Sequence, residues 1–163
     1  MQKLAALVAH ILHYTGLPPE QLFAYADQGD LFPIGRERGP LRPEPGQVGE
    51  PRQQIELGML RYDGVIQIER YPGPGADFAA LVASWLMEND TDRDGLEDPE
   101  LDIELNIRGG DADVQISIEF EERFTVIEDA NGNIPYRGRM WRVAPTVTTP
   151  VEILATLKGE VTE

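Results

Sequence analysis

Asp90-Thr-Asp-Arg-Asp-Gly is the stretch whose residue types and spacing come nearest to chemistry. Carboxylates at its first, third and fifth positions and a glycine at the sixth open a calcium-binding loop, in which hard oxygen ligands surround the ion and glycine permits the sharp turn. The rest departs from that pattern. Glu97 stands at position eight instead of an aliphatic residue, Pro99 at ten, and Leu101 at twelve, where a bidentate glutamate would close the site; Glu100 is one place early. Two readings of Asp90 to Gly95 stay open: a calcium-dependent protein-binding module, and an acidic connector from a helix to a strand. His10 and His13 lie three apart with neither a third ligand nor an HExxH-type glutamate. The glycines at Pro72 to Gly75 and at Gly109-Gly110 lack the GxxxxGK[ST] or GxGxxG context that cradles phosphate. Carboxylate pairs abound because the chain is acidic, so none is selected as an acid or base. The expectation is a non-enzyme with no cofactor and no metal.

The charge is more informative than any single motif. The 163 residues, 18.2 kDa in mass, carry a formal net charge of -15. Between Glu88 and Asp129 there are sixteen carboxylates against three arginines, Arg93, Arg108 and Arg123, whereas Arg36, Arg38, Arg42 and Arg52 sit in or beside one loop. Such a balance opposes phosphate-backbone binding, which relies on Lys and Arg to release counterions. The acidic part reads either as a solvated face or as a surface that meets something negatively charged without sticking to it. The absence of cysteine fits a reducing compartment. Met1 to Tyr14 lacks the features of a secretory signal and no run approaches a membrane span, so a soluble, unprocessed chain is expected.

The elements that hold these residues follow from apolar periodicity. Leu4, Leu7, Val8, Ile11 and Leu12 have the spacing of a helix with one buried stripe, ended by Gly16. Pro18-Pro19-Glu20 predicts a second short helix through Leu22, Phe23, Tyr25 and Ala26 to Gly29. Pro33 to Pro51 holds five prolines and four glycines in nineteen residues and reads as an arm, either a mobile linker or a segment that orders against a neighbouring subunit. Gln54 to Arg70 predicts a hairpin turning at Asp63-Gly64. A helix follows, capped by Asp77, with Phe78, Leu81, Val82, Trp85 and Leu86 on one face. Leu101 to Ile107 and Val114 to Val126 alternate as two further strands, their apolar rows facing a core.

The predicted order is ααββαββ. The expected fold class is α+β, a two-layer sandwich of an antiparallel sheet of about four strands with helices on one face. Residues 1–130 would form one domain carrying the arm at 33–51, and residues 131–163 a C-terminal extension. In that extension Tyr136 to Arg142 is basic and aromatic, suited to stacking on nucleic acid, to an acidic face of another subunit or to local packing; Val151 to Leu157 has the pattern of one more strand. The residues expected to meet a subunit or partner are Arg36, Arg38, Arg42, Arg137, Arg139, Trp141 and Arg142, because Trp and Arg dominate interface hot spots.

Several segments, in order, resemble one family. They are Pro19-Glu-Gln-Leu-Phe-Ala-Tyr-Ala-Asp-Gln-Gly, Asp77-Phe-Ala-Ala-Leu-Val-Ala-Ser-Trp-Leu-Met-Glu-Asn, Asp113-Val-Gln-Ile-Ser-Ile, Glu122-Arg-Phe-Thr-Val-Ile-Glu, and Pro150-Val-Glu-Ile with Gly159-Glu-Val. The set is similar to the tail completion protein GpR of contractile-tailed temperate bacteriophages, with residues 33–51 as a departure. The resemblance implies a structural virion protein, assembled in the host cytoplasm, that completes the phage tail as a tail terminator. It would cap the head-proximal end of the tail tube and sheath as a hexameric ring and offer the head-tail joining surface. Implied partners are further copies of the chain, the tail tube protein, the tail sheath protein and a head-completion or connector protein. DNA would pass through the lumen without specific binding. No membrane, catalytic residue or cofactor is implied.

Overall fold

The computed structural model describes residues 1–145 apart from Glu44, Gln47 and Ile107, so the strand expected at Val151 to Leu157 lies outside the described residues. Helix α1 spans Gln2–Thr15 and closes at Gly16, whose φ of 65° is the left-handed conformation that glycine adopts without strain. A single 3-10 turn, Pro19–Gln21, leads into β1, Leu22–Glu37. Strand β2 is Gln54–Tyr71, helix α2 Gly75–Asn89, β3 Glu100–Asn106, β4 Asp111–Glu128, β5 Ile134–Tyr136 and β6 Arg139–Val143. The sheet has six strands in the order β1-β2-β4-β6-β5, and β3 pairs with β4.

The expected α+β sandwich of about four strands is therefore incorrect: the described residues are mostly β, with two α-helices and six strands. Two local misreadings caused the error. Pro18-Pro19 has the form of a helix start, but it leads only one tight turn, after which Leu22 is extended at φ -116° and ψ 122°. From there Phe23 and Tyr25 alternate with Ala24 and Ala26, a period of two built on strand-favouring aromatics. The strand then runs through Pro33 to Glu37, inside the expected arm. It can do so because β1 is an edge strand, where a residue without an N–H can face away from the ladder.

The second misreading is the turn at Asp63-Gly64. β2 passes straight through it as one strand of 18 residues. Tyr62, Gly64, Ile66 and Ile68 stay in phase on a buried face, and a Cβ on Gly64 would lie 2.9 Å from the Phe120 ring and 3.0 Å from a Leu4 methyl. Glycine is needed here for close approach and not for reversal.

The chain forms two compact units. The first comprises Met1–Gly35 and Leu57–Arg123; the second comprises Arg36–Glu56 and the described residues from Phe124 onward. In the first, Leu4, Leu7 and Ile11 of α1 and Phe78, Val82, Trp85 and Leu86 of α2 share a core with Tyr62, Ile66 and Ile68 of β2 and Val114, Ile116, Ile118 and Phe120 of β4. Each such side chain contributes about 1.5–3 kcal/mol on burial. Phe120 is its hub, with Tyr62 at 5.7 Å and Trp85 edge-on at 6.4 Å between ring centroids. α2 starts at Gly75 with Pro74 as N-cap and no side-chain cap; Asp77 lies in its first turn, where the helix dipole favours a carboxylate. β3 and β4 pair antiparallel as expected, with Leu101 opposite Ile116 and Ile103 opposite Val114. The apolar row of β3 meets the core only in part, however: Ile103 packs against it, whereas Leu101 is 37% and Leu105 72% exposed.

In the second unit β6 pairs antiparallel with β4 from Val126 to Glu128 and with β5. Ile55, Val126, Ile127 and Trp141 are buried. The buried Glu56 carboxylate is paired with Arg38, and backbone bonds between Leu41 and Arg52 tie the ends of the intervening loop together.

Candidate interaction surface

Strand alternation decides where the charge goes. In the first unit the residues of β2 and β4 between the core ones lie on the opposite face, where Val65 is buried but Asp63, Gln67, Asp113 and Gln115 are not, and β3 extends the same face by register: Asp102 opposite Gln115, Glu104 opposite Asp113, Glu100 opposite Ser117. The Gln67 amide donates to Gln115 Oε1 at 2.8 Å, and the Arg70 N–H donates to Asp113 Oδ1 at 2.9 Å. A shallow depression of about 230 Å³ on this face is lined by Phe23, Gln67, Glu69, Asp102, Glu104 and Asp113 among others. Arg61 offsets part of the charge, donating to Glu121 at 2.9 Å, reaching Glu119 at 4.0 Å and lying 5.9 Å above the Phe32 ring.

Asp63 lies among these charges. Burial pushes its carboxyl above the ordinary value, and the negative charges of Glu119, Asp27 and Glu100 add to that. With Arg61 set against Glu119, Glu121, Asp102, Glu104 and Asp113, the face keeps an excess of carboxylates. It offers an approaching polyanion repulsion and a cationic partner attraction.

The Asp90 loop is arranged differently from a calcium site. Asp90 is 2% exposed, its Oδ1 accepting from Lys3 Nζ and its Oδ2 from Arg93, each at 2.6 Å. Arg93 also donates to the Glu97 carbonyl at 3.1 Å, and the Glu97 N–H donates to Glu119 Oε2 at 2.6 Å. The would-be first ligand is thus a buried anion held between two cations, tying α1 to the loop that follows α2. Among the described residues no group of three His, Cys, Asp or Glu is placed to hold a metal. His10 and His13 both pack against Tyr14, with ring centroids 4.7 Å away.

The residues expected at an interface all fall in the second unit. Arg36 and Arg42 are exposed. Arg38 is spent on Glu56, Arg137 donates to Glu37 at 3.2 Å, Arg139 to Glu128 at 3.0 Å, and Arg142 pairs with Asp129 at 2.8 Å. Trp141 is 3% exposed, and its Nε1–H donates to the Tyr136 carbonyl at 2.8 Å. Arg137, Arg139 and Trp141 come together with Glu37, Gln53 and Ile55 around an open cleft of about 360 Å³. Sequence reasoning missed a second kind of surface, the exposed side chains of β1, among them Phe23 at 52% and Tyr25 at 47%. The signal that could have found them is their alternation with alanine.

The family model for P2 phage tail completion protein R (GpR) matches residues 1–145. A curated relative, the uncharacterized 19.2 kDa protein in the rep-hol intergenic region of Haemophilus phage HP1, is 34% identical over 111 residues. That match covers 66% of each chain, a little under two thirds of the relative's length. No solved structure matches the chain.

Proposed function

The chain belongs to the family of P2 phage tail completion protein R (GpR), a structural protein of the phage tail, and from that premise we propose that it caps the head-proximal end of the tail as a ring of copies. Six is the number the family resemblance implies. The ring ends growth of the tail tube and sheath and offers its outer surface to a head-completion or connector protein. The observation that carries this reading is the carboxylate face of the first unit, with Asp63 raised by burial and by its neighbours' charge. Turned towards a lumen, such a face lets DNA slide past by like-charge repulsion instead of adsorbing it.

Arg36 and Arg42 then serve the contact between copies. Both are exposed, so each can reach an acidic neighbour. Arg38, Arg137, Arg139 and Arg142 would have to exchange a partner on assembly, and Trp141 would have to leave its packing.

A phage with the gene for this chain disabled tests the reading. The expected products are filled heads and unjoined tails, with infectivity restored by the wild-type chain supplied in trans. The Arg36→Glu/Arg42→Glu double variant should restore at least about tenfold less, since each exposed ion pair is worth up to about 1 kcal/mol and recurs at every contact in a ring. Normal joined particles formed without the chain would refute the proposal.

A further inference from the structure

Among the described residues the sheet of the first unit has two open edges. β1 ends the strand order on one side, and β3 pairs with β4. Both edges hold apolar side chains in solvent, Phe23 and Tyr25 on β1 and Leu105, 72% exposed, on β3. A row of these beside unpaired backbone N–H and C=O groups is a template for strand addition.

The two edges are unevenly protected. From Gln28 onward β1 carries positive φ at Gln28 (42°) and Gly35 (70°) and a proline at position 33, each of which interrupts a regular ladder. Leu22 to Asp27 carries no such device, and neither does β3. The open stretches are six and seven residues long, a matching pair.

Charge and symmetry choose among the pairings. β3 against a second β3 would set Glu100, Asp102 and Glu104 against three like charges, which destabilises a cross-strand contact. Of Leu22 to Asp27 only Asp27 is charged, so β1 against β3 meets far less opposition. β1 against a second β1 is a twofold contact that ends at a dimer and leaves β3 open. A β1-to-β3 contact joins unlike surfaces, the kind that closes a ring.

We propose that Leu22 to Asp27 of one copy adds antiparallel to the free edge of β3 in the next, joining the sheets of successive first units edge to edge. The proposal rests on the ring reading above and names its contact. Because a cyclic repeat turns every copy alike, the joined sheets also align their carboxylate faces into one band.

The chain has no cysteine, so engineered thiols report without background. Phe23→Cys, Ala24→Cys and Tyr25→Cys form one set of single variants, and Leu101→Cys, Glu104→Cys and Leu105→Cys another, all at exposed positions. Members are mixed under mild oxidation and read on non-reducing gels, with particle mass followed by light scattering. The expected result is disulfide-linked dimers between the sets and none within a set, because paired strands bring Cα atoms to about 4.5–5.5 Å, the range a disulfide spans. Phe23→Lys should leave the circular dichroism unchanged and raise the concentration needed for assembly at least about tenfold, or 1.4 kcal/mol. Ring-sized particles without links between the sets, or with links within the β1 set, overturn this contact and leave the ring reading standing. A mass that stays at one chain under all conditions overturns both.

Discussion

Replacing Asp90 with alanine is expected to lower the unfolding free energy by roughly 3 kcal/mol. Removing one partner of a buried ion pair costs about 3–5 kcal/mol, because the remaining charge is stranded away from water. Here two cations are stranded, Lys3 and Arg93, each bonded to its own oxygen of a carboxylate that is 1% exposed. The low end of the range applies because the Lys3 and Arg93 side chains remain 30% and 20% exposed and recover part of their hydration. Urea denaturation of the variant beside the wild type measures the loss, and a change under about 1 kcal/mol would mean that the contact does not hold α1 in place. Millimolar calcium is expected to leave the wild-type melting temperature unchanged, since an ion binding at Asp90 would first have to displace both cations. A calcium-dependent rise would return the loop to the list of metal sites.

Glu122 gives the second large effect, and its sign depends on pH. Its carboxylate accepts the N–H groups of Gln2 and Lys3 at 2.9 and 2.7 Å, donors that the first turn of α1 cannot satisfy internally, and the Tyr62 hydroxyl at 2.6 Å. Burial pushes the Glu122 carboxyl up, but the Tyr62 hydrogen bond and the two backbone donors outweigh it and leave the group below its ordinary value of 4.5. Burial raises the Tyr62 phenol, and its bond to Glu122 raises it further, so it stays the donor. Glu122→Ala removes the cap and leaves the buried Tyr62 O–H without its acceptor, an expected cost of about 2–4 kcal/mol at pH 7. Because the folded pKa is depressed, this contribution is present above pH 4.5 and is lost as pH falls through the folded value. Urea titrations at pH 7 and near pH 3 should therefore show wild type and variant converging in acid. A gap that stays constant would assign the loss to packing alone.

Much of the first unit was legible in the sequence. The stripe of α1, the apolar face of α2 and the β3–β4 hairpin follow from periodicities of 3.6 and 2 that tertiary context leaves intact. The misses share one cause, local punctuation read without its neighbours. Pro18-Pro19 and Asp63-Gly64 are strong signals for a helix start and a turn, but Gly64 answers to Phe120 and Leu4, contacts far away in sequence. The loop arginines could be counted but not paired: that Arg38 meets Glu56 and Arg137 meets Glu37 depends on strands brought together by the fold. Trp141 stood out as an aromatic among arginines, yet the backbone of β5 claims its N–H. The open edges of the sheet belong to strand order, which no pattern along the chain displays.

Electron microscopy of phage particles carrying a gold-labelled tag on this chain tests the central claim most directly. The account expects label confined to the junction of tail and head, and to one end of free tails. Label spread along the tail, or found at the distal end, would contradict it.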